Sequence, residues 1–593
     1  MSLFRASAEQ SSNLVRPSAD NSSTRRLTWI VAATVIVATL IALGQIKSHA
    51  FLWWDDDKNF TLNPRFNPGT LNSLGYYWVN PAFDLYVPVT YTVWGVLALF
   101  AAGSSGGGGL DPQAFHVVSL VFHILAAIGV LLVLRRLGLR PWPAGFGALV
   151  FAVHPLQTEA VAWASGLKDV LSGGLCIWAI WFYLRAVCAQ VSSKRWWTNY
   201  SLGMFLFILA MFSKPQAVCL PLVILTVELL RRPGAWRQWT AYLLAWFALT
   251  LPVIIIARNT QPAVEQAAAI PWIDRPLVAL DDLGFYVQKL FTPIDLTVDY
   301  ARSTAWLLRH NGYRSVILPL LLACIFLWIV CARARWLTVG AAIFVAALIP
   351  VLGFLPFDFQ KYSNVADHYV YLAMLGPALI GACALQIAAD HRIAKRFVVA
   401  ISSGFIWLMV IATYRQASYW ADNETLFSRN LLLQPQSFAA NFQMARHYAE
   451  KGAIDQAIEL YKHSLTIKPN DPEALFDLGN ALQREGRFSQ AADEYHEALK
   501  TWPNRADLRE NLAVALVMMN KFDEATMELE TANHLQPGDA GVLLNLAKLS
   551  MHRQDVGKAK AYLLEDVAAN PNFTPAREML QQIEQMEQVR PRP

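Results

Sequence analysis

The chain has 593 residues, a formal charge of +5, 55% hydrophobic residues and only 16% charged ones, with a mean hydropathy of +0.31. Soluble domains carry about a quarter of their residues charged, so this composition excludes a chain solvated by water throughout and calls for lipid around much of it. The small net charge gives no reason to expect a nucleic-acid partner, and in a membrane protein the placement of Lys and Arg, rather than their total, decides orientation.

Residues 1–26 read as a cytoplasmic tail, expected to be disordered. The uncharged run 27–46, LTWIVAATVIVATLIALGQI, is long enough at about 1.5 Å per residue to cross a hydrocarbon core of roughly 30 Å. It exceeds the apolar region of a signal peptide and lacks a small-residue cleavage site after it, so it reads as a retained anchor. Further apolar runs near 113–134, 143–160, 169–189, 198–212, 216–230, 239–257, 316–332, 337–355, 369–388 and 397–413 bring the expected count to about eleven by hydropathy. Arg25/Arg26, Arg135/Arg136/Arg140, Lys194/Arg195, Arg231/Arg232/Arg237, Arg333/Arg335 and Arg392/Lys395/Arg396 then share one side, which the positive-inside rule makes cytoplasmic. The first outside loop is 47–112. The segments around 154–168, 258–315 and 356–368 and everything after 413 also lie outside. Segments 86–103 and 276–291 are apolar enough for short spans, but the charge parity places them in the interface or as re-entrant. The six cysteines, Cys176, Cys188, Cys219, Cys324, Cys331 and Cys383, lie in apolar stretches without metal-ligand spacing and read as small hydrophobes. No metal site is expected.

From 414 to 593 the pattern changes. Prolines recur at 435, 469, 503, 537 and 571, a tetratricopeptide period. Repeats are expected at 438–471, 472–505, 506–539 and 540–573, preceded by a half repeat at 421–435 and closed by a polar cap to about 588, as an α-solenoid requires. Small residues (Ala445, Gly479, Ala513, Ala547) fall where two helices cross, and prolines end the second helix of each pair. With only 414–421 as linker, the array is expected to be fixed against the membrane half. Gln443, Asp477, Asn511 and Asn545 recur at one repeat position on the face expected to be concave. Amides can hold an extended peptide backbone by donating and accepting at once, although a solvated polar face is the plainer alternative.

Three outside segments carry candidate chemistry. The first loop opens FLWWDDDKNFTLNP (51–64), with Asp55, Asp56 and Asp57 directly after a span. Such carboxylates are either hydrated at a helix exit or used, here as a base that takes a hydroxyl proton. HPLQTEAVAWASGLKD (154–169) holds His154, Glu159, Lys168 and Asp169, SKP (213–215) holds Lys214, and KYSNVADHYVYL (361–372) holds Lys361, Asp367 and His368. Any one such cation is commonly a snorkelling or capping residue. Together they suit a phosphate-bearing substrate.

The order DD, HPxxTExVAW…KD, SKP and ADxYxYL followed by tetratricopeptide repeats resembles the transmembrane-and-tetratricopeptide-repeat O-mannosyltransferases and their bacterial relatives, within the GT-C superfamily of integral-membrane glycosyltransferases. The resemblance runs from about residue 27 onward. It implies an all-α polytopic domain, a sugar taken from a polyprenyl phosphate with inversion, and residence in a bacterial inner membrane. By it, Asp55 or Asp56 is the catalytic base. His154, Glu159, Lys168 and Asp169 match the second motif, Lys214 the third, and Asp367, Tyr369 and Tyr371 the last. Two positions depart from the pattern: Leu167 and His368 stand where arginines are expected. Phosphate binding would then fall to Lys168, Lys214, His368, Lys361 or Arg258. The expected function is transfer of a sugar, mannose by the resemblance, to Ser or Thr of an extracytoplasmic protein bound by the repeats. A non-catalytic scaffold is the main alternative, and it needs one span rather than eleven. A transporter would need ionisable residues at mid-membrane.

Overall fold

The computed structural model describes residues 22–82, 85–101, 109–191, 193–232, 234–260, 273–303, 335–354, 358–390 and 395–589. The chain divides into a membrane unit up to Leu433 and a repeat unit from Gln434. Neither unit has a named β-strand among the described residues.

The membrane unit contains α1 (Ser22–Leu43), α2 (Pro88–Phe100), α3 (Pro112–Arg136), α4 (Pro141–Val153), α5 (Leu167–Val187), α6 (Lys194–Ser213), α7 (Leu220–Arg231), α8 (Trp236–Thr260), α9 (Arg275–Phe291), α10 (Arg335–Leu348), α11 (Leu375–Asp390), α12 (Lys395–Ser418) and α13 (Asn423–Leu433). Local sequence sets the boundaries. Asp111 caps α3 by accepting from Gln113 N–H, and Pro112 occupies the first turn, where its missing N–H costs nothing. Ser193 caps α6 in the same way. α4 stops at His154 because Pro155 follows.

Among the described residues, five helical stretches are long and apolar enough to cross a membrane: Ser22–Ser48, Pro112–Arg136, Ala164–Val187, Arg237–Thr260 and Arg396–Ser418. Ala164–Val187 is the central one, with 72% of its apolar window buried, whereas Arg396–Ser418 has 17% buried and is peripheral. Trp407, Leu408 and Ile411 on α12 and Leu244, Leu251 and Ile255 on α8 are accordingly exposed, as lipid-facing side chains must be.

The expectation of about eleven spans is met differently. The runs 143–160, 216–230, 337–355 and 369–388 fold as shorter apolar helices, Pro141–Val153, Pro215–Leu229, Arg335–Val351 and Leu375–Ala389. Run 198–212 lies in α6, and 316–332 lies outside the described residues. The shorter helices stop because their ends unwind into the 3-10 turns Pro155–Gln157, Ile349–Val351 and Asp367–Val370. Such irregular backbone within a membrane bundle is tolerated where protein or a cavity satisfies it. Segment 86–103 contains α2, whose 13 residues cover only about 20 Å. Segment 276–291 falls in α9, an amphipathic helix with Arg275, Asp281 and Asp282 buried. Close helix packing depends on missing side chains: a Cβ on Gly376 of α11 would lie 2.2 Å from the Gly340 carbonyl of α10.

The loop 47–112 is itself packed. Phe60, Phe66, Tyr77, Tyr91 and Trp94 form a buried cluster with Phe115 of α3, tying the loop to the bundle.

The repeat unit contains four helix pairs, Phe438–Glu450/Ile454–Ile467, Pro472–Arg484/Phe488–Thr501, Ala506–Met518/Phe522–Leu535 and Ala540–His552/Val556–Ala569, closed by Thr574–Val589. The periodic prolines Pro469, Pro503, Pro537 and Pro571 each fall just beyond a second helix. The turn inside each pair needs a left-handed residue, supplied by Gly452 (φ 78°), Gly486 (φ 74°), Asn520 (φ 61°) and Gln554 (φ 63°). Within repeats, Ala457, Ala491, Ala525 and Ala559 are fully buried. The tail reading of 1–26 applies only in part, since α1 begins at Ser22 and residues 1–21 lie outside the described residues. The half repeat at 421–435 is represented by α13, which belongs to the membrane unit.

Candidate functional site

The three carboxylates after α1 have different fates. Asp56 is fully buried. Its Oδ1 accepts from the Ser165 N–H at 2.9 Å and the Ser165 hydroxyl at 2.6 Å, and its Oδ2 accepts from the Leu52 N–H at 3.0 Å. Burial outweighs these bonds and raises its pKa to about 7. Asp57 is also buried, and its Oδ1 accepts from the Lys58 N–H. Asp55 is the exposed member of the run, with backbone at φ 69°, a conformation that costs a non-glycine residue about 1–3 kcal/mol.

Neighbouring bonds hold that conformation. Trp53 N–H donates to Asn423 Oδ1 at 2.7 Å, the Trp163 indole N–H donates to the Trp54 carbonyl at 2.7 Å, and Asn59 N–H donates to the Asp55 carbonyl at 2.8 Å. Asn59 Nδ2 also donates to Ser165 Oγ at 2.9 Å. Asp56 thus braces the loop against the turn Ala164–Gly166, and Asp55 is presented beside it.

Facing this loop is an aromatic wall drawn from distant segments. Trp54 meets Phe359 edge-on at 6.2 Å and Phe427 at 6.3 Å. Trp163 lies 5.7 Å from the His368 ring, and His368 lies 4.3 Å from Tyr369. Asp55 follows Trp54 of this wall directly in the chain.

The second, third and fourth motifs meet here. Glu159 is buried, its Oε2 accepting from the His368 N–H at 3.1 Å and its Oε1 lying 2.9 Å from His368 Nδ1. Asp367, buried next to this pair, accepts from the Tyr300 hydroxyl at 2.9 Å. Burial raises its carboxyl to about 7 despite that bond and the nearby Lys289. Lys214 pairs with Asp169 and sits 5.0 Å over the Tyr369 ring. Lys168 lies 4.4 Å over Trp163. Tyr371 is fixed by His123 Nδ1 at 2.9 Å, and a Cβ on Gly173 would lie 2.4 Å from its ring, so only glycine fits there. A cleft opens among Asp169, Gly173, Lys214, His368 and Tyr369.

Other candidates fall elsewhere. His154 accepts from the Leu156 N–H through Nδ1 and donates to the Leu290 carbonyl through Nε2 at 3.1 Å, so both of its nitrogens hold backbone. Arg258 is exposed in the last turn of α8, and among the described residues no hydrogen bond or ion pair joins it to the cluster. Lys361 ends the turn Asp358–Lys361, and its side chain lies outside the described residues. No three His, Cys, Asp or Glu side chains converge among the described residues. Sequence reading missed Ser165, Asn59, Trp54, Phe359 and Tyr300. The WW before the acidic run was the one available sign of the wall.

In the repeat unit the polar column is half-buried and partly self-satisfied. Asn511 Nδ2 donates to Asn480 Oδ1 at 2.9 Å, Asn545 Nδ2 donates to Glu510 Oε1 at 2.9 Å, and Arg446 donates to Gln443 Oε1 at 3.3 Å. Burial raises Asp477 to about 6 against the pull of Arg446.

Fold and site together define a helical membrane protein with a polar cluster at unwound helix ends and a tetratricopeptide array. Family models of the tetratricopeptide repeat match residues 445–486 and 476–530. Human protein O-mannosyl-transferase TMTC4 is 22% identical over 414 residues, covering 60% of this chain and 55% of that protein. Caenorhabditis elegans protein O-mannosyl-transferase F38B6.6 is 24% identical over 404 residues, covering 63% and 53%. Mouse TMTC3 is 32% identical over 114 residues, covering 18% and 12%. The two longer matches exceed the whole repeat unit and so extend into the membrane unit. The chain is a relative of the transmembrane-and-tetratricopeptide-repeat O-mannosyltransferases, and it spans about half the length of the curated relatives it matches over that extent. Among solved structures, YrrB, a tetratricopeptide-repeat protein, is 15% identical with a TM-score of 0.26, covering 33% of this chain and 98% of its own. MamA is 18% identical with a TM-score of 0.24, covering 25% and 85%.

Proposed function

We propose that the chain transfers mannose from a polyprenyl-phosphate carrier to a Ser or Thr hydroxyl of an extracytoplasmic protein, in a bacterial inner membrane with the N-terminus cytoplasmic and the repeats outside. The observation that carries this reading is the presentation of Asp55, an exposed carboxylate held in a left-handed conformation by braced neighbours, in a chain whose relatives are named O-mannosyl-transferases.

In this reading Asp55 removes the hydroxyl proton as the oxygen attacks C1 of the sugar from the face opposite the phosphate. The new C–O bond forms, the bond from C1 to the phosphate oxygen breaks with its electron pair, and the configuration at C1 inverts. Charge grows on the departing phosphate, where a cation stabilises the transition state more than the ground state. Lys168 suits that role, since its described contact is an aromatic face and Lys214 is already paired. Asp56 is the positioning partner of Asp55, while Asp57, Glu159, Asp169, Asp367 and His154 hold the surrounding backbone and cations. Gln443, Asp477, Asn511 and Asn545 form the acceptor-binding column.

The test is transfer from a mannosyl polyprenyl phosphate to a Ser/Thr-rich protein by the purified chain in nanodiscs. Asp55→Asn keeps the shape and removes the base, so the rate should fall about 10²–10⁴-fold with unchanged thermal stability. Full activity in that variant would overturn the assignment.

A further inference from the structure

We propose that the cleft between α5, the Lys214 turn and the His368 turn binds the hydroxyls of the donor sugar rather than its phosphate, with Asp169 Oδ2 and His368 Nε2 as the two accepting atoms. The inference rests on the transferase reading and names what this part of the site takes.

Four observations support it. First, Asp169 is buried, its Oδ1 is taken by Lys214, and its Oδ2 has no hydrogen-bond partner among the described residues. A buried carboxylate oxygen without a donor is costly, so this atom asks for an incoming O–H or N–H. Second, Glu159 accepts the backbone N–H of His368 through Oε2 and faces the same residue's Nδ1 through Oε1. With Oε2 already accepting from that backbone N–H, Oε1 is the oxygen that faces the ring, and an imidazole that donates to it from Nδ1 keeps a lone pair on Nε2. Burial and the ammonium groups of Lys214 and Lys168 push this imidazole well below the usual histidine range, which keeps it neutral. Third, His368 lines the cleft with Asp169, and Nε2 makes no hydrogen bond among the described residues. Fourth, Lys214 spends its charge on Asp169, so this cleft offers a phosphate little net attraction.

Two acceptors lining one cleft reject a phosphate, whose oxygens carry only lone pairs at the carrier's ionisation state. A sugar ring offers two hydroxyl donors at once. The histidine that stands where the motif suggests arginine thus becomes a reader of the sugar instead of a holder of the phosphate.

The test compares binding of two lipids, bare polyprenyl phosphate and mannosyl polyprenyl phosphate, to the full chain in nanodiscs. Wild-type protein should bind the mannosyl lipid more tightly, and at least one monodeoxymannosyl lipid should bind about tenfold more weakly than the parent. His368→Ala should lose about the same factor for the mannosyl lipid, leave the bare lipid unchanged, and lose nothing further with that deoxy analogue. Equal loss for both lipids would make His368 a phosphate contact and overturn the proposal. So would wild-type protein that does not distinguish the deoxy lipids, a result that needs no variant and therefore no assumption about its folding. Transfer activity persisting in either case would leave the transferase reading in place, whereas wild-type protein that binds neither lipid would overturn both.

Discussion

The two units use helix ends in opposite ways. In the repeat unit each paired helix ends where a period requires, at a left-handed turn residue or ahead of a proline, and polar side chains along the first helices pair with one another from rung to rung. In the membrane unit the informative ends are those that come early. α4 and α10 run out into 3-10 turns, a third such turn, Asp367–Val370, precedes α11, and the buried ionisable groups gather at those breaks. Regularity stabilises the array, and interrupted regularity builds the site. Bulk hydrophobic burial supports both, and in the second an unpaired carboxylate oxygen, Asp169 Oδ2, belongs to a residue that lines a cleft.

The sharpest way to break this contrast is to compare two cations of the membrane unit. Lys168→Ala at the break should lower the transfer rate by about 10²–10³-fold, the loss typical of one charge-stabilising group, whereas Arg258→Ala on the regular helix α8 should stay within about twofold. Equal losses, read from initial rates with the mannosyl lipid, would show that the chemistry is not confined to the breaks.

Asp56 gives the next largest effect. Its carboxyl is raised from 3.8 to about 7 in the folded chain, so the folded state holds a proton that the unfolded state has released across that window. Stability should therefore fall as pH rises from about 4 to about 7, by on the order of 1 kcal/mol per pH unit. Asp56→Asn should abolish that slope. It should also cost about 1–3 kcal/mol, because an amide NH₂ would face donors from Ser165 and Leu52. Thermal unfolding at several pH values measures both.

For the repeat unit, replacing Asn511 and Asn545 together by Ala should reduce transfer to a protein acceptor while sparing donor hydrolysis by water. It should cost only about 0.5–1.5 kcal/mol of stability per lost hydrogen bond. Parallel loss of both reactions would assign the column to stability alone. The smallest expected effect is a gain: Gln554→Gly relieves a left-handed glutamine and should stabilise the last repeat by about 1 kcal/mol, seen as slower amide exchange there.

Much of this was legible in the sequence. The proline period, the small residues at helix crossings and the basic clusters follow from local chemistry, and the polar motifs stood out against apolar surroundings. The partnerships did not. Glu159 with His368, Trp54 with Phe359 and Phe427, and Tyr300 with Asp367 join segments far apart in the chain, and no local periodicity encodes which distant residue meets which. The acidic run likewise could not announce that Asp56 would be buried and Asp55 presented, because that choice depends on the hydroxyl and N–H of Ser165, more than a hundred positions away. Helix length was overread for a related reason: hydropathy counts apolar residues and is blind to the 3-10 turns that end a helix early.

The column of left-handed turns also sets an order of events. Gly452 and Gly486 occupy it without steric conflict, Asn520 at modest cost, and Gln554 at the greatest. In a one-dimensional array, where each repeat is stabilised only by its own folding and its neighbours, such a gradient makes the solenoid a zipper that opens from its C-terminal end. Mechanical pulling or mild denaturant should release Ala540–Ala569 before the earlier pairs, leaving a shortened array that still presents Gln443 and Asp477.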